Sequence, residues 1–232
     1  MRGAMMNAEC RMTNDRRLLA FVLLISSFVI PARAAPPGFE SLFPAGGQVG
    51  ASVECVTAGK GLDKDSPVAW ASHPGIVFKA GDKPKKFTVA IAPDVPAGPY
   101  LVRFHTPEGS TPPRIFEVGK EPEVIEKEPN DAFADAKGQE AKANTVFNGV
   151  LENAGERDTH AIRVTKGRGL TLEVHGYALG SPMDPALRLL DARGIEIAGG
   201  HDTHNLDPRI EYTPKSDGVL YAQVFAFAHP PA

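Results

Sequence analysis

The sequence predicts an all-β protein: two antiparallel β-sandwich domains in tandem after a signal peptide. Three observations carry this expectation. Glycine (23) and proline (21) together make up about 19% of the 232 residues, against roughly 12% in an average chain. Runs of four to six residues alternate apolar and polar side chains, the period of a half-buried strand. No stretch sustains a 3.6-residue apolar period. The best helical candidate, 131–142, is alanine-rich but short and lacks a continuous apolar stripe.

At the N-terminus, Arg16 and Arg17 precede an apolar run over 18–30, and Ala32-Arg33-Ala34 follows it. This is the order of a secretory signal: a basic region, an apolar region and a small-residue cleavage site. The run is shorter than the roughly 20 residues that cross a bilayer. Cleavage after Ala34 is therefore expected, with export to the periplasm, cell surface or medium and no transmembrane segment afterwards. Five basic and two acidic residues would leave with the leader, moving the net charge from −3 to −6. That balance argues against nucleic acid as a partner, which calls for a basic stripe. Cys55 would remain as the sole cysteine. It alternates with Val53 on one strand face and reads as a buried, inert thiol.

Strands are expected at 52–57, 68–71, 76–79, 87–91, 100–105 and 115–118, punctuated by turns such as the proline-rich 92–99. Their even spacing suggests an immunoglobulin-like sandwich over 35–118. Residues 119–127 are polar, charged and carry Pro122, the composition of a linker. A second strand-rich block follows over 128–232, with strands at 146–151, 160–164, 170–175, 186–190, 209–212 and 220–225. Asp191-Ala192-Arg193-Gly194 and Ser216-Asp217-Gly218 are its tight turns.

Several segments of this block stand in a recognisable order: Glu126-Lys127-Glu128-Pro129-Asn130-Asp131, Asn148-Gly149, Gly155-Glu156-Arg157-Asp158, Ser181-Pro182-Met183-Asp184-Pro185-Ala186-Leu187, Asp191-Ala192-Arg193-Gly194 and Asp217-Gly218. Together they resemble the bacterial pre-peptidase C-terminal domain, a β-sandwich module of secreted proteases and of exported proteins without protease activity. The block before it, with Leu42-Phe43-Pro44-Ala45-Gly46-Gly47, resembles the immunoglobulin-like segment that precedes such modules. The chain departs from the pattern in placing Glu156 where an aspartate is usual and His160 where an aromatic is usual. It also stops before the family's last strand, which implies a truncated sandwich. The resemblance implies a non-catalytic exported module for adhesion, substrate targeting or spacing. The alternative is the N-terminal fragment of a secreted hydrolase. Extracellular polypeptide or polysaccharide is the expected partner.

Glu126, Glu128, Asn130 and Asp131 crowd four oxygen-bearing side chains into six residues. Hard cations such as Ca²⁺ take six to eight oxygen ligands. In collagen-binding members of the family this opening segment and an acidic turn bind Ca²⁺, which implies Glu126, Glu128, Asn130 and Asp131 together with Glu156 and Asp158. A solvated acidic linker, with Asn130-Asp131 capping a short helix, is the other reading. His201, Asp202, His204 and Asp207 offer a second ligand set, suited to Zn²⁺, although flanking Gly199-Gly200 and Asp207-Pro208 read as an exposed loop. Tyrosines of the family's collagen-binding members contact ligand, which implies Tyr177 and Tyr221 here. Phe225 reads as core. The sequence holds no G-x-S-x-G or H-E-x-x-H motif, so no catalytic residue is assigned.

Overall fold

The computed structural model describes residues 35–63, 67–136, 140–142 and 144–227. The expected signal peptide, 1–34, lies outside the described residues. The strands are, in chain order, β1 (Ser41–Phe43), β2 (Gly46–Gln48), β3 (Ser52–Ala58), β4 (Val68–Ala71), β5 (Ile76–Ala80), β6 (Lys86–Ile91), β7 (Gly98–Thr106), β8 (Gly109–Ser110) and β9 (Arg114–Gly119). They continue with β10 (Glu123–Ile125), β11 (Val146–Asn148), β12 (Arg157–Val164), β13 (Leu170–Glu173), β14 (Pro185–Leu190), β15 (Glu196–His201), β16 (Arg209–Tyr212) and β17 (Gly218–Ala226). The protein is all-β. Its only helical turn among the described residues is a 3-10 turn, Tyr177–Leu179, and no described helix is long and apolar enough to cross a membrane.

Strands β1 to β9 form two sheets, ordered β1-β3-β6-β5 and β2-β9-β7-β4, with β8 added to β7. All pairings are antiparallel except β2 with β9. Strand alternation sends Cys55, Phe87, Val89, Val102, Phe104, Phe116 and Val118 inward, where they form one buried core. Phe104 sits at its centre, with Phe87 at 4.8 Å and Phe39 edge-on at 5.0 Å between ring centroids. Burial pushes the Cys55 thiol up to about 12, and its Sγ donates to the Pro44 carbonyl, so the thiol is inert as the sequence implied.

The later strands build a four-stranded antiparallel sheet, β12-β17-β14-β15, and a separate β13-β16 pair. Ile162, Val164, Leu187, Leu189, Ile210 and Ala222 form their core. In β15, Gly199 and Gly200 pair with Arg188 and Leu187. Those glycines read as loop in the sequence, yet an edge strand with one neighbour tolerates them. Within the polar stretch 119–127, β10 pairs in parallel with β11.

The helical candidate at 131–142 is not helical at 131–136 or 140–142, the parts of it that are described. Residues 131–136 run through turns, and Asn130 and Ala141 on either side of them pair with the free edge of β12. The Asn130 carbonyl accepts from Thr159 N at 3.0 Å, and Ala141 N donates to the Ala161 carbonyl at 2.9 Å. Ala136 packs with Tyr221 and Phe133 in a small second cluster. Pairing with an otherwise open strand edge outweighs the modest helix preference of a few alanines.

Candidate functional site: a carboxylate cluster

The edge pairing that replaces the helix also gathers acids. The Glu126 amide donates to the Asn148 carbonyl, extending the β10-β11 ladder. The next residues then cross to β12 and lay Asn130 against Thr159. The carboxylate oxygens of Glu126, Glu128 and Asp158 lie within 4.8 Å of one another, and so do those of Glu128, Asp131 and Glu156. Asn130 sits between them, with its backbone N donating to Glu128 Oε2 and its Nδ2 donating to Glu126 Oε2, both at 3.0 Å. Glu156 is held by a turn in which its carboxylate accepts from Asn153 N. All six residues expected from the sequence therefore share one site.

Two features of the cluster go beyond crowding. Asn130 and Asp158 are each only 4% exposed, and Oδ1 of each is buried without a hydrogen-bond partner. A buried oxygen with no donor normally costs about 1–3 kcal/mol. The second feature is repulsion. Burial, and next the Glu126 charge, push the Asp158 carboxyl up to about 8, with Glu128 and Glu156 adding to the rise. Without a counter-charge the cluster keeps a proton on Asp158. On the neighbouring strand position, burial pulls the His160 imidazole below its ordinary value against the opposing charge of Glu126. Its ring stacks on Phe147, centroids 4.4 Å apart.

The pH dependence follows. Unfolded Asp titrates near 3.9, whereas folded Asp158 holds its proton to about 8. The folded state therefore binds the extra proton between those values, and stability falls as pH rises through the window. The His160 imidazole, lowered by burial, contributes in the opposite direction, so the test compares two chelator-treated proteins that share it. In thermal unfolding between about pH 5 and pH 8, the Tm of the parent is expected to fall relative to that of Asp158→Asn. A difference that stays constant or grows in the parent's favour contradicts the assignment.

Gly149 entered the sequence reading only as part of the Asn148-Gly149 segment of the family resemblance. A Cβ built on it would lie 2.4 Å from Glu126 Oε2, so only glycine lets that carboxylate rest on the backbone, where Oε1 accepts from Val150 N. The sequence expectation ran a strand through Gly149, over 146–151, whereas β11 ends at Asn148.

The histidine loop is divided differently from the expected set. His201 Nε2 lies 3.1 Å from Asp184 Oδ1 and its Nδ1 lies 3.7 Å from Asp202. His204 is not part of that group. Buried Asp207 is already committed, its carboxylate accepting from Gly176 N (3.1 Å), Tyr177 N (2.8 Å) and Ala178 N (2.9 Å). Asp184, 17 residues from His201 in sequence, stands beside His201 where the Zn²⁺ alternative had His204 and Asp207, and 202–206 form the exposed loop that the flanking residues implied.

The two tyrosines also part company. Tyr177 is 57% exposed at a cleft of about 590 Å³ lined by Phe39, Pro112, Pro113, Ile115 and Leu179. Arg114 spans its floor, Nε donating to the Phe39 carbonyl and Nη1 to the Gly180 carbonyl. Tyr221, by contrast, is buried, its ring 4.4 Å from that of Phe133. Its expected ligand contact is thus corrected. β17 lies inside its sheet and is buried on both faces there, with Tyr221 packed against Ala136, Ala161 and Leu190 and Ala222 in the larger core.

No protein-family model and no curated protein matches the chain. Solved structures that it is similar to include SGBP-B of a Bacteroides ovatus mixed-linkage glucan utilization locus in complex with a heptasaccharide, at TM-score 0.29 and 12% identity, over 78% of this chain and 37% of that one. The gamma-CGTase of alkalophilic Bacillus clarkii is similar at TM-score 0.28 and 8% identity, over 84% of this chain and 24% of that one. Titin domains Z1Z2 in complex with telethonin are similar at TM-score 0.23 and 14% identity, over 85% and 84%. The chain spans less than half the length of the first two. At such identities the likeness concerns β-sandwich architecture alone.

Proposed function

We propose that the protein is a non-catalytic, exported binding module: an immunoglobulin-like domain over 35–118 followed by a Ca²⁺-stabilised sandwich over 128–232, the latter of the pre-peptidase C-terminal type its motifs resemble. The observation that carries this reading is the pair of buried, partnerless oxygens, Asn130 Oδ1 and Asp158 Oδ1, inside a cluster of carboxylates. An all-oxygen donor set of this size suits a hard cation and not Zn²⁺. Glu126, Glu128, Asn130, Asp131, Glu156 and Asp158 would hold the ion. The ion would neutralise the cluster and tie the 126–131 segment to β12. The exposed Tyr177 and its cleft are the place for an extracellular polysaccharide or polypeptide to dock.

Hydrogen–deuterium exchange of the full chain tests the reading locally. Adding Ca²⁺ should slow exchange across 126–131 and 148–160, and Glu128→Ala should remove that protection. Exchange indifferent to Ca²⁺ in these segments refutes the cation site. Gly149→Ala should push the Glu126 carboxylate out of place and weaken Ca²⁺ binding by roughly 10–100-fold, the usual effect of disturbing a ligand's support. Calorimetric titration of that variant would read the loss, and an unchanged affinity would mean that Glu126 is not a ligand.

A further inference from the structure

The outward face of the five-stranded sheet carries Val68 and Trp70 of β4, Leu101, Arg103 and His105 of β7, and Ile115 of β9, since their neighbours alternate into the core. Val68 is 68%, Trp70 41% and Leu101 46% exposed, an apolar surface on adjoining strands. Trp70 stands opposite Arg103 in register, with the guanidinium carbon 5.1 Å from the ring centroid. Arg103 Nε is buried and has no hydrogen-bond partner, and the residue forms no ion pair among the described residues. A desolvated guanidinium donor without an acceptor is costly. Glu117 is the one acid that the register of these strands places on this face. It stands opposite Pro99, four residues along β7 from Arg103. Ile115, opposite Leu101, also lines the cleft at Tyr177, so apolar surface continues from Tyr177 through Ile115 and Leu101 to Trp70.

The geometry points to this face as a platform for a carboxylate-bearing polysaccharide, a chain of uronic-acid units. The C–H face of a hexose ring packs on Trp70 and Leu101, and its carboxylate accepts from the Nη groups at the outer end of the Arg103 guanidinium, since the Nε beneath them is buried. Strands β4, β7 and β9 lie side by side, each about 4.8 Å from the next, which gives a polymer successive footholds. The ligand meets a sheet face, where backbone groups are spent on the ladders. An extended peptide would add at the outer edge of β4, which ends its sheet, whereas a polysaccharide lying on the face needs only side chains. The platform extends the binding-module reading and draws nothing from the carboxylate cluster.

Trp70 is the chain's single tryptophan, so its emission reports the site without interference. The experiment titrates a galacturonate hexamer into the full chain in calcium-free buffer, with circular dichroism recording that the chain is folded. A saturable emission change is expected, weakened by added salt. The methyl-esterified hexamer, which keeps the sugar skeleton and loses the charge, should bind at least about tenfold more weakly, as should the acid hexamer to Arg103→Gln. Trp70→Ala, followed by calorimetry, should lose binding. The proposal is overturned if folded protein gives no saturable change, if ester and acid bind alike, if Arg103→Gln binds as the parent does, or if polyglutamate binds as tightly as the hexamer. Because the titration uses no Ca²⁺, its failure is separable from failure of the cation site.

Discussion

Asp158→Asn is expected to raise the Tm of chelator-treated protein by several degrees and to abolish the gain that Ca²⁺ brings to the parent. The two effects have one origin. Asp158 is buried among Glu126, Glu128 and Glu156, and its carboxyl is pushed up to about 8 by burial and by their charges. An asparagine of the same shape removes that burden and can still donate to a neighbouring carboxylate. It also removes a ligand charge that a cation requires. In the parent, an ion at a hundredfold excess over its Kd stabilises by about 2.7 kcal/mol, or about 5–10 °C in Tm for a chain of this size. Differential scanning calorimetry of both proteins, with Ca²⁺ and with chelator, reads all four values. A structural carboxylate with no cation role would give the opposite pattern: a destabilised variant, and no Ca²⁺ response in either protein.

Asp207→Ala should be the most damaging single substitution outside the cores. Its buried carboxylate takes three backbone amides, those of Gly176, Tyr177 and Ala178. These are the amides of the 3-10 turn that presents Tyr177 to the cleft. Stripping the acceptor leaves three donors unpaired at a cost of about 3–5 kcal/mol, a fall in Tm on the order of 10 °C. The Tyr177 turn would loosen first, so proteolytic nicking near 176–181 should accompany the fall. A variant within a degree or two of the parent would show that water replaces the carboxylate.

Where the chain alternates strictly, its strands were legible residue by residue. β4 and β16 match the expected 68–71 and 209–212, and most of the other expected strands differ only by a residue or two at the ends, whereas β1, β2, β8, β10 and β15 were not expected. What escaped depends on contacts between distant segments. The 131–142 stretch looks helical locally, but 131–136 run through turns and Ala141 pairs with the open edge of β12. Gly199-Gly200 looks like a loop, but Arg188 and Leu187 pair with it. The acidic site was legible because four of its six residues stand within six positions, and the family pattern supplied Glu156 and Asp158. Gly149 was not, because its importance lies in the space that Glu126 occupies above it. The Asp184–His201 contact likewise arises only when β14 and β15 pair. Tyr177 and Tyr221 are chemically identical in sequence, and only the central place of β17 in its sheet and the Asp207-capped turn separate the buried ring from the exposed one.

The most direct test of the cation site is calorimetric titration of Ca²⁺ into the chelator-washed full chain beside Asp158→Asn. Saturable binding of one ion per chain in the parent, and none in the variant, is the expected result. Absence of saturable heat in the folded parent, or equal binding by the variant, would contradict it and leave the cluster an acidic surface that Asp158 settles with a proton alone.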